Sequence, residues 1–586
     1  MKKQTYLTGI VILTTMIFSS SCKKEFLVRE PIGALSQGVL ATPNGVNGLL
    51  TGAYSALRGT DIGASTAWSG SVTNWIWGSV AGGDAHKGSD AGDQAPINPI
   101  ATWAISPSNA MAADKWIVCY GGIDRVNSVF KVLPLVKGMD AAALKNVEAQ
   151  AHFLRGHYYF ELKRFYNMVP WISDSTKDFK QENNVDIWPK IEADFKFAFD
   201  NLPETQSDAG RANKWAAGAY LAKAYLYQKK FELAKTLFDQ VIAQGMTTKG
   251  VKYDLLPSIE DNFRPEKELT SPENVFSVEF AANVGTGTID NATMGDMLNY
   301  PYGNSPFGCC GFYQPTIDLA NSYRTDANGL PYLDTYNAHA VKNDMGVLSS
   351  ASFTPDAGNL DPRIDWTIGR RGIPYLDWGL HPGRDWIRDQ DFSGPYAPKK
   401  NIWWHATEQY HDNNSWAPAT AINYYIIRFA DVLLMAAEAH AQTNDLPGAL
   451  TLVNRVRTRA ANPAGWVYQY KDNSNPAAGF STEPAANYVI KTYASFPTQD
   501  FALKAIYFER KLELGMEGVR FFDLSRWGIA AQVLNDFFAY EGNLIGDVKG
   551  GHFTAGKNEY FPIPQSEIDK TTIGGKATLT QNKGYQ

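Results

Sequence analysis

At 586 residues the chain is long enough to bury a large core without disulfide staples. A formal net charge of -6, with charged residues at only 19%, excludes the clustered basic face that nucleic acid requires. Aromatic residues reach 13%, with 16 Trp among 50 Gly and 30 Pro, which is more aromatic material in turn-rich sequence than a core alone calls for.

In chain order, the first predicted element is an export signal over residues 1–21. Lys2 and Lys3 precede an apolar run with Ile10, Val11, Ile12, Leu13 and Ile17, then Ser19-Ser20-Ser21-Cys22. The run is shorter than the ~20 residues of a membrane-spanning helix. Small residues before a lone cysteine suit bacterial lipoprotein processing, so Cys22 is the expected lipidation site and the mature chain runs over 22–586. Of the remaining cysteines, Cys119, Cys309 and Cys310, an odd number cannot complete a disulfide framework. Adjacent Cys309 and Cys310 could close a strained ring, but two free buried thiols are the expectation for this pair.

Next come Gly-, Asn- and aromatic-rich loops (about 65–109), then helices at 114–133, 144–165 and 187–202, where apolar residues recur at helical spacing. Residues 215–244 read as two helices split at Lys229-Lys230, and 424–460 repeats the pattern at an offset of 215. Ala224 then matches Ala439, Phe231 matches Leu446, Ala234 matches Ala449 and Val241 matches Val456. Small residues at a helix crossing with larger apolar ones after the turn are what a tetratricopeptide-type hairpin needs. Between the copies lie loop insertions at about 253–302 and 306–421, with a short strand at 276–280. A last helix at 501–514 precedes an extended Phe561-Pro562-Ile563-Pro564. The expected fold is predominantly α: about eight helices in a tetratricopeptide-like α-solenoid, a loop-rich cap with minor β, and one domain.

No phosphate-binding loop, zinc-histidine pair or nucleophile elbow occurs. His152 and His157 are five apart and do not share a helix face. Asp389 to Lys400 opens like a calcium loop but ends in Lys where Glu is needed, and Asp84, Asp90 and Asp93 lie among turn glycines. Neither a metal nor another cofactor is expected. Arg428, Asp431, Glu438, Glu509, Arg510, Glu513, Arg520, Asp523 and Arg526 stand on otherwise apolar helices, where a lone charge is costly. They are read as paired with one another or as helix caps, not as catalytic groups.

Several stretches together resemble one family, the SusD-like (RagB-like) nutrient-binding lipoproteins of the Bacteroidetes outer membrane. They are Phe26-Leu27-Val28-Arg29-Glu30-Pro31, Asp361-Pro362-Arg363, the run Ile427 to Ala439, Val453 to Arg457, Glu509 to Leu514 with Glu517 to Leu524, Arg526-Trp527-Gly528, and Phe561 to Pro564 with the closing Gln581-Asn582 and Gly584-Tyr585. The resemblance implies a non-catalytic protein, lipid-anchored and exposed at the cell surface, that hands a nutrient to a SusC-like TonB-dependent transporter. An aromatic plate beside Asn, Asp, Gln or Arg suits a sugar, whose ring offers C–H faces and hydroxyl edges. An oligosaccharide is therefore the expected ligand, with peptide as the non-sugar alternative. In the resembled family the ligand site lies in loops of the first part and middle of the chain, which selects Trp68, Trp75, Trp103, Tyr300, Tyr302 and Trp378. Two rivals remain open: a surface glycoside hydrolase using loop acids such as Asp377 and Asp385, and a protein-binding tetratricopeptide scaffold.

Overall fold

A computed structural model describes residues 37–60, 62–284 and 291–585. The export signal, Cys22 and the leader Phe26 to Pro31 lie outside the described residues. Helices α1 (Pro43–Ser55), α2 (Asp114–Val132), α3 (Ala141–Tyr166), α4 (Trp188–Asn201), α5 (Lys214–Tyr227) and α6 (Phe231–Gln244) pack each on the next, and α7 (Phe429–Gln442), α8 (Leu446–Ala460) and α9 (Gln499–Leu514) continue the stack, joined through α6 against α7. This is the expected helical solenoid. The 215-residue repeat is α5–α6 and α7–α8, and Ala224, Ala234, Val241, Ala439, Ala449 and Val456 are all fully buried.

Local chemistry sets the helix starts. The side chains of Asp140, Asn213, Asp445 and Thr498 accept from Ala143, Ala216, Gly448 and Phe501 N–H, caps worth about 1 kcal/mol each. Helices α1, α10 (Arg520–Trp527) and α11 (Ala530–Glu541) escape the sequence reading. The Asn-Gly-rich start of α1 hides its periodicity, and α10 is too short to display one. The predicted helix from 424 begins instead as strand β4 (Tyr424–Arg428), antiparallel to β2 (Asn274–Val278). The run Tyr-Tyr-Ile-Ile favours a pleated surface over a helix. In the cap, β1 (Ala85–Gly88) pairs with β3 (Phe312–Pro315).

Cap and solenoid meet at an ion network in which every member is nearly water-free. Arg363 pairs with Asp361 (2.7 Å), Glu509 (2.7 Å) and Glu513 (3.0 Å). Arg428 pairs with Glu513 (2.6 Å), Glu517 (2.9 Å) and Glu273 (3.3 Å). Arg457 reaches Glu509, Arg459 reaches both Glu273 and Glu513, and Lys400 reaches Glu517. On the neighbouring turn Arg510 joins Asp431 and Asp523, while Arg526 joins Glu438 and Asp523. The helix charges are thus paired as the sequence implies, with Arg520 as the exception. Close backbone contact tightens the same junction: a β-carbon on Gly78 would lie 1.8 Å from the Gly518 carbonyl oxygen.

Burial alone would raise the Glu513 carboxyl, but Arg459, Arg428 and Arg363 hold it well below the ordinary value. Its folded pKa is therefore depressed, so its contribution is present above the unfolded value of about 4.3 and is lost as pH falls through the folded value. Glu513→Gln is expected to cost about 3–5 kcal/mol at pH 7. Urea unfolding at pH 7 and across the acid range checks this, with the gap to wild type narrowing below about pH 4.

Candidate functional site

Three of the six candidate aromatics are core residues, and this corrects their assignment as ligand plates. Trp75 is fully buried, donates Nε1–H to the Gly295 carbonyl at 3.0 Å and packs on Phe312 and Tyr313. Trp103 donates to the Ala81 carbonyl and stacks on Phe561 with ring centroids 5.2 Å apart. Tyr300 is enclosed between Phe307 and Trp403. A ring covered on both faces leaves a sugar nothing to stack on.

The other three remain part-exposed, and two of them belong to one surface. Trp68 donates Nε1–H to Gln94 Oε1 at 3.1 Å. From Gln94 the loop runs back to Asp93 and Asp90, which flank the Arg388 guanidinium at 2.7 and 2.6 Å. Arg388 lies over the Tyr302 ring, 5.0 Å from its centroid. Four chain segments therefore converge: Trp68, the 90–94 loop, Tyr302 and Arg388. Arg388 carries no sequence signal, because its partners are hundreds of residues away.

The platform is held from below. Lys87 Nζ–H bonds to the Asp90 and Asp93 carbonyls (2.7 and 2.6 Å) close the loop. Burial pushes the Lys87 ammonium down to about 8 against the pull of Asp547, Asp93 and Asp90. Next to it, His86 is wedged between Asp547 (2.6 Å) and Glu541 (2.9 Å). Burial opposes a charge there, but the two carboxylates outweigh it and raise the imidazolium to about 10. Tyr302 N–H bonds the Trp386 carbonyl at 2.9 Å, and Gly303, at φ +65°, approaches so closely that a β-carbon would lie 2.6 Å from the Asp385 carbonyl oxygen. Only glycine fits that turn.

Cys309 and Cys310, expected as free thiols, are joined to each other on the same loop, between Gly308 (φ +75°) and Gly311 (φ +81°). Cys119 is free and buried.

Trp378 belongs to a different cluster, edge-on to Phe307 at 5.1 Å and 4.5 Å from His405, with Nε1–H on the Trp403 carbonyl. Asp377 beside it accepts from the His405 and Ala406 amides (2.6 and 2.8 Å), which anchors a loop. Asp389 caps a short helix through Phe392 N–H, and Lys400 serves Glu517, so the calcium-like stretch is used structurally. Trp416, 68% exposed, escaped the sequence reading, since nothing in its loop distinguishes it from buried neighbours.

Comparisons with known proteins bear on what such a surface is for. A family model described as "SusD family" matches residues 272–585, and one described as "Starch-binding associating with outer membrane" matches residues 87–226. The chain is 24% identical over 605 residues to SusD-like protein P25 of Formosa agariphila, covering 99% of each, and 23% identical to a SusD-like protein of Bacteroides ovatus, covering 77% of this chain and 76% of that one. Among solved structures it resembles a laminarin binding SusD-like protein (TM-score 0.65, 24% identity, 93% and 100% coverage). It also resembles surface glycan-binding protein A from Bacteroides thetaiotaomicron in complex with laminarihexaose (TM-score 0.64, 21% identity, 92% and 99% coverage).

Two measurements separate core from platform. Trp75→Ala is expected to cost about 3–5 kcal/mol in urea unfolding, and Tyr302→Ala about 1 kcal/mol or less. The His86 pKa is raised above its unfolded value of about 6.5, so its stabilisation is complete below that value and is lost as pH rises through about 10. The stability gap between wild type and His86→Gln should therefore shrink over that window.

Proposed function

The chain belongs to the SusD family, and from that premise we propose that it is a non-catalytic, lipid-anchored outer-membrane protein that captures an oligosaccharide on the Trp68–Tyr302 platform. It then delivers the sugar to a SusC-like TonB-dependent transporter. The observation that carries the reading is the convergence of two part-exposed aromatic rings with Gln94, Asp90, Asp93 and Arg388 on one surface. Aromatic faces take the C–H side of a sugar, and the fork of Arg388 with its two carboxylates offers donors and acceptors to hydroxyl edges. The relatives named for laminarin and laminarihexaose favour a neutral glucan as the first class to try.

A delivery role calls for modest affinity. A shallow platform supplies it, and an anchor at Cys22 would hold the binder beside its transporter at high effective concentration. The hydrolase alternative loses support because Asp377 is spent on two backbone amides.

Calorimetric titration of residues 23–586 with laminari-oligosaccharides and other neutral oligomers is expected to give micromolar to millimolar binding with no cleavage products. Tyr302→Ala and Trp68→Ala should each weaken it by about tenfold, about 1.4 kcal/mol. Full affinity in both variants would rule out this surface, and sugar cleavage would rule out a non-catalytic role.

A further inference from the structure

Among the charges that the sequence singles out on the signature stretches, Arg520 alone makes no hydrogen bond or ion pair with any described residue, and the carboxylate that its charge acts on most is the buried Asp84. Its neighbours Arg510, Lys511 and Arg526 are all fully engaged. Arg520 is only part-buried and lines a cavity of about 470 Å³. The other walls are one face of α9, one face of α11 and the 333–337 segment. Along α9 the lining positions Asp500, Lys504, Tyr507 and Lys511 recur at three- and four-residue steps, so a whole helical stripe faces the gap. Two amphipathic faces that could have closed on each other instead border an open trough.

The chemistry of the trough is particular. Tyr507 is half-buried with one face covered by the stacked Trp527 indole, 3.8 Å away, which leaves the other face as a plate. Phe508, Phe537 and Tyr336 add apolar surface. Lys511 does not supply free charge, because Asp318 neutralises it while also accepting from Tyr336 O–H (2.9 Å) and Asn337 Nδ2–H (2.8 Å). The lining holds four carboxylates, Asp318, Asp334, Asp500 and Asp536, against Lys504, Lys511 and Arg520, a balance of -1 that repels a dense polyanion. One guanidinium fork stands free within this near-neutral pocket, matched to one planar or tetrahedral anionic group.

We propose that this trough is a second ligand site, separate from the Trp68–Tyr302 platform, which takes a sugar residue bearing a single anionic substituent: the ring lies against Tyr507 and the acid group is held by Arg520. A uronate carboxylate and a sulfate ester share this chemistry. The proposal rests on the glycan-binding reading above, and its test fails separately from that reading because the two sites respond to different variants.

The experiment is calorimetric titration of residues 23–586 with aldotetraouronic acid, its carboxyl-reduced neutral counterpart and neocarrabiose 4-sulfate. At least one acidic probe is expected to bind tenfold or more tightly than the neutral one. Arg520→Gln should remove that preference, Tyr507→Ala should weaken the acidic probe several-fold, and Tyr302→Ala should leave it unchanged. Circular dichroism and retained laminari-oligosaccharide binding would show that the variants fold. Equal affinity for all three probes, or an acidic preference that survives Arg520→Gln, overturns the proposal; if Arg520→Gln does not fold, an acidic preference that survives Tyr507→Ala unweakened does so. The relative affinities of uronate and sulfate identify which group the fork accepts.

Discussion

Glu513 lies where three guanidinium groups meet, those of Arg363, Arg428 and Arg459, in space that water does not reach. Each ion taken out of water costs several kcal/mol even after relaxation, and that cost is recovered only when every partner is in place. The network recruits its partners from both layers: Asp361, Arg363, Lys400 and Glu273 from cap segments, Arg457, Arg459, Glu509 and Glu513 from α8 and α9. A cap loop displaced from its place would leave bare charges in the helical core. The long insertions are thereby tied to the solenoid by electrostatics as well as by apolar packing.

That constraint gives the exposed surface its footing. Loops of this length would ordinarily be mobile and lose entropy on binding. Here Lys87, His86 and the backbone hydrogen bond from Tyr302 N–H to the Trp386 carbonyl hold the segments from beneath, so the part-exposed rings are already positioned. The Arg388 pairs at the top are about a third exposed, and solvent screens them to about 1 kcal/mol or less. Such contacts can exchange with a hydroxyl group at little cost, whereas the interior ones cannot.

The helical repeat and the charge pairing were legible in the sequence because each rests on a local rule. Ala224 and Ala439 mark helix crossings by size, and Arg428 or Glu513 in an apolar stretch must find a partner somewhere in the core. The aromatics obey no such rule. Trp75 and Trp68 stand in the same loop region with similar neighbours, but the first is capped by a carbonyl 220 residues away and the second by Gln94 at the surface. Indole is content in either place because its single N–H is easily satisfied. Arg388 was missed for a related reason, since convergence of distant loops leaves no periodic trace.

The contrast between Arg520 and the other signature arginines follows from where each stands relative to the lock. Arg363, Arg428, Arg457 and Arg459 occupy sites with almost no solvent, where an unpaired guanidinium would be intolerable. Arg520 opens α10 at the trough's edge, where water can satisfy its donors. A charge that is fully paired and cut off from water contributes to the fold and has nothing left to offer a ligand. A charge kept part-solvated among aromatic rings costs the fold little and keeps its donors available. Stability and the proposed recognition therefore rest on different arginines, and substitutions at one group should leave the other group's task intact.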